Sequence, residues 1–404
     1  MPITLANARL VDADRDGWGD LIIDSRSLRA VGPGAAPEGT VVDLDGALVV
    51  PGFIDVHVHG GGGFSLHTTD LAEIAAYARW VPATGTTSFL VAVVGVPDGL
   101  PEPQLSTAAR AVTADGEGAE PLGIHLEGPF INPLRRGAHD PAWLREPHPE
   151  ATDRILAAAD GHLRIVTLAP ELPGAEAMQQ ALLNAGVTVS IGHTDADEVE
   201  TRHAIQCGAR HATHCFNAMR PLLHRDPGPL GAIVEAEEVL GELIADTHHV
   251  HPAAMRVLIR ALGPGRTVII TDAIAAAGLG NVPFTLGDQP AHVEGGVARL
   301  ADGTIAGSIL TMDQALRNVL ALGGLSLSEA VGMLTHNPAR AAGVADRKGL
   351  LRPGYDADLV ILDHDLNVQA TICRGHLAHA TESWKRRLKL LPVGRIRRSR
   401  RGAI

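Results

Sequence analysis

Eight short apolar runs, separated by segments of helical composition, follow one another along the middle of this 404-residue chain. They span residues 53–57, 86–91, 123–127, 164–168, 187–191, 211–215, 240–245 and 267–271. Runs that are apolar on both faces and alternate with helices are typical of a parallel sheet covered on both sides. Eight such units predict an α/β fold, a (β/α)₈ barrel of the TIM type. The alternative is an open doubly wound sheet.

The two ends of the chain predict a second, smaller unit. Short alternating strands fill residues 3–50, and strand character returns at 349–373. We expect residues 1–50 and 345–380 to form one small β-sandwich-like domain, beside a barrel that spans 51–344.

The last part of the barrel carries a predicted insertion. Residues 284–306 have the pattern of a β-hairpin, with turns at 287–288 and 301–303. Two helices are expected after it, at 311–322 and 326–336.

Charge is distributed unevenly along the chain. There are 46 acidic and 34 basic residues, and nine of the basic ones lie in the tail at 381–404. The strongly acidic remainder argues against a nucleic-acid enzyme. The basic tail is predicted to be a solvated, poorly ordered terminus rather than a segment that binds nucleic acid or an anionic membrane.

The cysteines and the start of the chain indicate a cytoplasmic protein. Cys207, Cys215 and Cys373 are scattered, so no disulfide framework is expected. The first residues lack the basic and apolar regions of a signal peptide. The longest apolar run, at 89–96, is too short to cross a membrane.

Polar side chains stand at the ends of five of the predicted barrel strands, where barrel enzymes carry their active sites. His57 and His59 are two residues apart in a strand, so both can face one metal ion. Alone, each such residue is more often a hydrogen-bonded structural group. Their coincidence at one barrel mouth predicts a divalent metal site built from His57, His59, Glu127, His193, His214 and Asp272. Nitrogen and carboxylate ligands suit Zn²⁺, Fe²⁺, Co²⁺ or Mn²⁺.

Longer motifs surround these residues. The opening 51–55 followed by His57-x-His59 is common to the amidohydrolase superfamily. More specific are His125-Leu126-Glu127-Gly128-Pro129-Phe130, Arg136-Gly137-Ala138-His139, Gly192-His193-Thr194, Thr213-His214-Cys215-Phe216-Asn217-Ala218-Met219 and Thr271-Asp272-Ala273. In this order they resemble the N-acetylglucosamine-6-phosphate deacetylase family, over about residues 45–375.

The resemblance implies a reaction and its machinery. It implies hydrolysis of the acetamide of N-acetylglucosamine 6-phosphate to glucosamine 6-phosphate and acetate. The main metal ion would be held by Glu127, His193 and His214. Zinc is the expected metal, with iron, cobalt or manganese as alternatives. Asp272 would be the catalytic acid and base. His57 and His59 allow a second ion bridged by Glu127, so one or two ions are expected.

The resemblance also implies how the substrate is bound. Arg225 and His249 would meet the 6-phosphate, with Arg225 entering from a neighbouring subunit of a homodimer. The remaining pocket residues would be Ala138, His139, Asn217, Ala218, Ile305, Ala306 and Gly307. Thr247 stands where the family commonly has glycine, which leaves the finer sugar preference open.

The distribution of lysines limits the possible mechanisms, because the first 347 residues contain no lysine. Relatives that bridge two metals with a carboxylated lysine are thereby excluded, and Glu127 can supply the anionic ligand instead. A ring deaminase, a deacetylase of another N-acetyl sugar phosphate and a non-catalytic scaffold remain as alternatives. His67, His203, His211 and His251 are interpreted as structural or surface residues.

Overall fold

A computed structural model describes residues 1–280, 283–286, 289–294 and 296–396. The chain begins with five strands: β1 (Ile3–Asp12), β2 (Arg15–Asp24), β3 (Ser27–Gly32), β4 (Thr40–Asp43) and β5 (Leu48–Pro51). β1 pairs antiparallel with β2 and parallel with both β4 and β5. Their alternating pattern reflects one face packed on a core and one face toward solvent.

The eight predicted parallel strands all form, and each is hydrogen-bonded to the next in chain order. They are β6 (Phe53–Asp55), then β9 (Thr86–Val94), β10 (Glu120–Glu127), β11 (Leu163–Leu168), β12 (Thr188–Ile191), β13 (His211–Ala212), β14 (Leu240–Ile244) and β15 (Thr267–Ile270), with the short pair β7 (Gly60–Gly61) and β8 (Phe64–Ser65) after β6. The predicted TIM-type barrel is confirmed.

Helices surround the barrel, because the apolar strands need cover on their outer face. They are α1 (Leu71–Trp80), α2 (Glu102–Thr113), α3 (Pro149–Ala159), α4 (Ala175–Asn184), α5 (Glu198–Gln206), α6 (Gly228–Glu235) and α7 (Pro252–Leu262). None of the helices in the described part of the chain combines the length and apolarity that a bilayer crossing requires.

The insertion has more strands than predicted. Instead of one hairpin it forms a three-stranded antiparallel sheet of β16 (Pro283–Leu286), β17 (Gln289–Glu294) and β18 (Val297–Leu300). The prediction missed the reversal between β17 and β18, whereas the expected turn at 301–303 is present, with the N–H of Gly303 donating to the carbonyl of Leu300 at 3.0 Å. The expected turn at 287–288 lies outside the described residues.

The two helices expected after the insertion are present, and a third follows them. α8 (Met312–Ala321) and α9 (Leu327–Leu334) agree with the predicted spans 311–322 and 326–336, whereas α10 (His336–Ala341) was not predicted. Thr335 leaves the helical region, with φ −129° and ψ −69°, and thereby ends α9.

The chain returns to the first sheet with β19 (Leu359–Leu362), β20 (Val368–Cys373) and β21 (His376–Ala380), and α11 (Glu382–Arg387) follows. β19 pairs antiparallel with β5, so one mixed sheet contains strands from both chain ends. The expectation of a poorly ordered tail is wrong for 382–396, since Leu388 and Leu391 are buried in this domain's core and Ile396 bridges to Gly116. Residues 397–404 lie outside the described residues.

The barrel closes at its mouth through polar groups. Thr271 Oγ1, just after β15, donates to Asp55 Oδ2 at the end of β6, at 2.6 Å. The backbone N–H of Asp272 donates to the carbonyl of His57 at 2.9 Å. Burial raises the pKa of Asp55 to about 7, although its hydrogen bonds act in the opposite direction. The contact between the first and last barrel strands, here called the seam, therefore lies next to residues predicted to bind the metal.

A buried ionic cluster joins the two units. Lys348 has a side chain only 1% exposed, and its Nζ lies 2.9 Å from Glu120 Oε2, at the start of β10, and 3.0 Å from Asp356 Oδ2. Lys348 also contacts Asp358, just before β19. Burial lowers the pKa of Lys348, but the three carboxylates outweigh it, so the pKa is raised and the lysine is charged.

We predict that Lys348→Met destabilises the protein by about 3–5 kcal/mol, because removing one partner leaves buried carboxylates without compensation. Urea unfolding measures this change. Lys385→Met is the matched control: its ion pair with Glu382 is exposed, so the loss should stay below about 1 kcal/mol. Equal effects of the two substitutions would contradict the structural role of the cluster.

Candidate active site

Glu127 is the centre of the group of polar side chains at the barrel mouth. Its Oε1 atom lies 3.0 Å from the Nε2 atoms of both His193 and His214 and 3.3 Å from Nε2 of His57. Its Oε2 atom lies 3.2 Å from Nε2 of His59. His59 in turn lies 3.1 Å from Oδ1 of Asp272. The structure thus brings together all six residues that the sequence proposes as metal ligands or catalytic acid and base.

The spacing of these atoms fits a divalent metal ion. Nε2 of His193 and Nε2 of His214 are 3.0 Å apart, and two ligand atoms about 2.1 Å from one ion are separated by about 3.0 Å at a right angle and about 3.4 Å at the tetrahedral angle. Nε2 of His57 is buried and has no hydrogen-bond partner among the described residues, despite its closeness to Glu127. Neighbouring nitrogens and an unpartnered buried nitrogen are what a shared cation would satisfy.

The backbone turns sharply where the strands deliver these side chains. His193, His214 and Asp272 all have positive φ, at 48°, 29° and 50°, and so do Ala218 and Thr247. Residues with a Cβ rarely adopt this region, and such positions cluster at functional sites. The strained backbone positions therefore coincide with residues that the sequence proposes for the site.

A layer of hydrogen bonds behind the site selects the ring nitrogens that face it. Nδ1 of His193 lies 2.8 Å from the carbonyl of Arg135, and Nδ1 of His57 lies 2.9 Å from Oε2 of Glu242. With Nδ1 engaged in this way, Nε2 is the ring nitrogen that faces Glu127 and that a cation could bind in place of a proton. Both imidazoles are therefore oriented as metal ligands would be.

Glu242 is a site residue that the sequence interpretation missed. It is fully buried in β14, and it accepts hydrogen bonds from His57, from Nε2 of His211 and from the backbone N–H of His214. His211, interpreted as structural, thus supports the site from behind. The available signal was the single acid in the apolar run Leu240–Ile244, since a buried carboxylate needs partners.

Electrostatics favour a cation at this position. Burial raises the pKa of Glu127, but the surrounding histidines outweigh it and keep the pKa well below its usual range. Burial lowers the pKa of His59, and hydrogen bonds to Asp272 and Glu127 raise it to about 9. Two ionised carboxylates thus attract positive charge at the mouth, in the form of protons or of a metal ion.

A cavity of about 470 Å³ opens above these residues. Its floor includes His59, Glu127 and Asp272, whereas His57 lies behind the floor. Eight of the nine residues proposed to bind substrate line the cavity: Ala138, His139, Asn217, Ala218, His249, Ile305, Ala306 and Gly307. The ninth, Arg225, lies in an exposed loop and does not line the cavity of its own chain.

Two further histidines differ in their placement. His125 is fully buried, and its ring nitrogens lie 3.0 Å from the carbonyl of Val56 and 2.9 Å from Oγ1 of Thr167, so its hydrogen bonds are satisfied within the barrel. His67, interpreted as structural or surface, lines the cavity while its Nδ1 accepts from the backbone N–H of Val94. No signal in the sequence distinguished His67, which lines the cavity, from His125, which does not.

A parallel barrel with histidines and carboxylates at its mouth is a recurrent enzyme architecture. Comparisons with known proteins identify the family to which this chain belongs. The model of the Amidohydrolase family matches residues 48–378. N-acetylglucosamine-6-phosphate deacetylase of Bacillus subtilis (strain 168) is 38% identical over 82% of this chain and 85% of its own length. N-acetylgalactosamine-6-phosphate deacetylase of Escherichia coli O157:H7 is 39% identical over 90% and 96%.

Solved structures agree with these relatives. A variant of N-acetyl-D-glucosamine-6-phosphate deacetylase from Mycobacterium smegmatis, in complex with N-acetyl-D-glucosamine-6-phosphate, superposes with a TM-score of 0.87. It is 42% identical, and the match covers 94% of this chain and 99% of that one. The chain therefore belongs to the amidohydrolase superfamily and, within it, to the family of N-acetylglucosamine-6-phosphate deacetylases.

We predict that Glu242→Gln lowers the affinity for the active-site metal about 10- to 100-fold, because the amide holds His57 and His211 less strongly than the carboxylate. Competition with a chelator of known affinity measures this. Glu238→Gln, an exposed change four residues away, serves as the control. Unchanged affinity in the Glu242 variant would show that the hydrogen bonds behind the site do not govern metal binding.

Proposed function

We propose that this protein hydrolyses the acetamide of N-acetylglucosamine 6-phosphate to glucosamine 6-phosphate and acetate. The observation that carries the proposal is the meeting of Glu127, His193 and His214 beside Asp272, in the lining of a cavity of about 470 Å³. The most similar relatives bear names for this activity or for its galactosamine counterpart.

The proposed metal ligands are Glu127, His193 and His214, with His57 and His59 available for a second ion. We propose zinc, in one or two ions per subunit, with iron, cobalt or manganese as alternatives, in a cytoplasmic enzyme. A divalent cation held by these residues supplies the Lewis acid that makes water nucleophilic near neutral pH and polarises the acetamide carbonyl.

Asp272 then moves the proton. The pKa of Asp272 is lowered, since His57 and His59 outweigh the effect of burial, so the side chain is ionised and can accept a proton from the attacking water. It returns this proton to the amide nitrogen, because the amine cannot leave as an anion. The Asp272 backbone N–H is tied to His57, which keeps the carboxylate at the seam between the first and last strands.

His249 is proposed to meet the phosphate. Its Nδ1 lies 2.6 Å from Oδ2 of Asp246, which leaves Nε2 available toward the cavity. Burial lowers the pKa of His249, but the hydrogen bond to Asp246 outweighs it and the pKa is raised. A raised pKa favours the imidazolium form, which attracts a phosphate dianion.

We further propose that Arg225 completes the phosphate site of a neighbouring subunit in a homodimer. Arg225 is exposed and does not line the cavity of its own chain, and the preceding Leu222 and Leu223 are 50% and 54% exposed. Adjacent exposed leucines next to an arginine are typical of an interface rather than of free surface.

We predict that Asp272→Asn retains the metal but lowers acetate release about 10²- to 10⁴-fold, the range expected for loss of an acid and base. Acetate is measured with a coupled assay and metal content by elemental analysis. Asp346→Asn, at an exposed position, should behave as wild type. A near-normal rate in the Asp272 variant would refute its proton-transfer role.

We predict that Arg225→Ala lowers kcat/KM for N-acetylglucosamine 6-phosphate about 10- to 100-fold, because a charge-assisted hydrogen bond contributes about 1.5–3 kcal/mol. The rate with unphosphorylated N-acetylglucosamine should not change. Arg260→Ala, also exposed, is the control.

Mixing the Asp272→Asn and Arg225→Ala variants, both impaired, tests the origin of Arg225. A dimer of one Asp272→Asn chain and one Arg225→Ala chain has one intact site only if the arginine comes from the partner. Recovery of activity on mixing supports the shared site. Failure to recover, with mixed dimers verified by mass spectrometry, would show that each chain uses its own arginine.

N-acetylgalactosamine 6-phosphate is a second candidate substrate. The E. coli relative that carries this name matches 90% of the chain, and Thr247, with φ 69°, stands beside His248 and the phosphate-proximal His249. Rates of acetate release from the two epimers decide between them. Release of ammonia instead of acetate from either sugar would point to a deaminase.

A further inference from the structure

Three metal-binding side chains meet on the outer surface of the barrel, apart from the catalytic cavity. Glu176 lies in the first turn of α4, His203 lies in α5, and Cys207 ends α5. Nε2 of His203 lies 3.4 Å from Oε2 of Glu176 and 3.6 Å from Sγ of Cys207. The three ligand atoms all lie within 4.8 Å of one another.

These distances match the ligand shell of a tetrahedral zinc ion. With zinc–nitrogen, zinc–oxygen and zinc–sulfur bonds near 2.0, 2.1 and 2.3 Å, the nitrogen–oxygen separation is about 3.4 Å and the nitrogen–sulfur separation about 3.5 Å. The observed distances agree with these values to about 0.1 Å. The carboxylate oxygen of Glu176 and Sγ of Cys207 lie within 4.8 Å of each other, against about 3.6 Å at zinc, so an ion could bind with a side-chain shift of about 1 Å or less.

The packing of the two helices holds the ligands in register. Nε2 of Gln179 donates to the carbonyl of Ala204 at 2.8 Å, and Nε2 of Gln180 donates to the carbonyl of Cys207 at 3.0 Å. Glu176 thus faces His203, and Gln180 faces Cys207, each pair related by one helical turn along its helix. Because the backbones are tied together, the order needed for chelation is present before an ion binds.

We propose that Glu176, His203 and Cys207 form a second, non-catalytic site for Zn²⁺ or a similar borderline-soft divalent cation, with water as the remaining ligand. The thiolate favours such ions over Mg²⁺ or Ca²⁺. On binding, Cys207 releases its thiol proton to solvent and no electron is transferred. The ion would link α4 to α5. Along α5, Cys207 lies about 14 Å from the helix start at Glu198, and none of Glu176, His203 and Cys207 lines the catalytic cavity, so this site is separate from the catalytic one.

Cobalt provides a test that does not depend on activity. The proposed catalytic ligands include no thiolate, so a sulfur-to-cobalt charge-transfer band in the near-ultraviolet reports on Cys207. Enzyme with its catalytic metal bound is titrated with Co²⁺. Wild type should gain this band with about one further equivalent per chain. Cys207→Ser should lose the band, while its acetate release stays within about twofold of wild type.

Matched variants distinguish the site from general surface binding. Glu176→Gln should weaken Co²⁺ binding at this site, whereas Glu150→Gln, an exposed acid in the first turn of α3, should not. Gln180→Ala removes the hydrogen bond to the Cys207 carbonyl and should weaken Co²⁺ binding about tenfold, the scale on which outer-shell partners affect metal affinity.

Three results would overturn the proposal. One is the absence of the band in wild type, and another is its persistence in Cys207→Ser. The third is a band that appears only with protein association, since an ion bridging two molecules would then explain it. Absence of deacetylase activity in wild type would refute the proposed function, whereas the cobalt charge-transfer band does not depend on that activity.

Discussion

The carboxylate of Glu127 holds the barrel mouth together, because an ionised group so nearly buried must be surrounded by donors or cations. Imidazole nitrogens from β12 and β13 approach one of its oxygens, and His59, after β6, approaches the other. Side chains carried by four separate strands therefore meet at one carboxylate. The contacts that balance the buried charge of Glu127 are also the contacts that arrange the proposed metal ligands.

The closure of the barrel depends on the same region. Asp55 and Thr271 join the first strand to the last, and the adjacent residues His57 and Asp272 belong to the site. A change that loosens this seam would alter both the stability of the barrel and the position of the proposed acid and base. Glu242 reinforces the arrangement from the barrel interior, since it links His57 to His211.

Different parts of the fold carry different ionic chemistry. The cluster around Lys348 is buried and joins the barrel to the sheet made from both chain ends. The Glu176, His203 and Cys207 cluster is exposed and lies on the helical outer layer. The first has its charges paired within the protein, whereas the second has donor atoms that are accessible to ions from solvent. This difference in burial is why we assign a structural role to one and a binding role to the other.

Local patterns in the sequence were sufficient for the strands, the barrel and the principal site residues. Strand periodicity and strand ends depend on neighbouring residues, and a barrel brings all carboxyl ends of its strands to one mouth. His57, Glu127, His193, His214 and Asp272 could therefore be selected before any coordinates. The same local patterns were insufficient at the insertion, where they did not indicate the reversal between β17 and β18.

Only the tertiary structure decided which polar groups are partners. Glu242 lies in an apolar run, and its role appears once His57 and His211 are seen to converge on it from other strands. The pairing of Cys207 with Glu176 likewise depends on how α4 packs against α5. Sequence determines which side chains a strand or helix presents, whereas contacts between elements distant in the chain exist only after folding has set their distances.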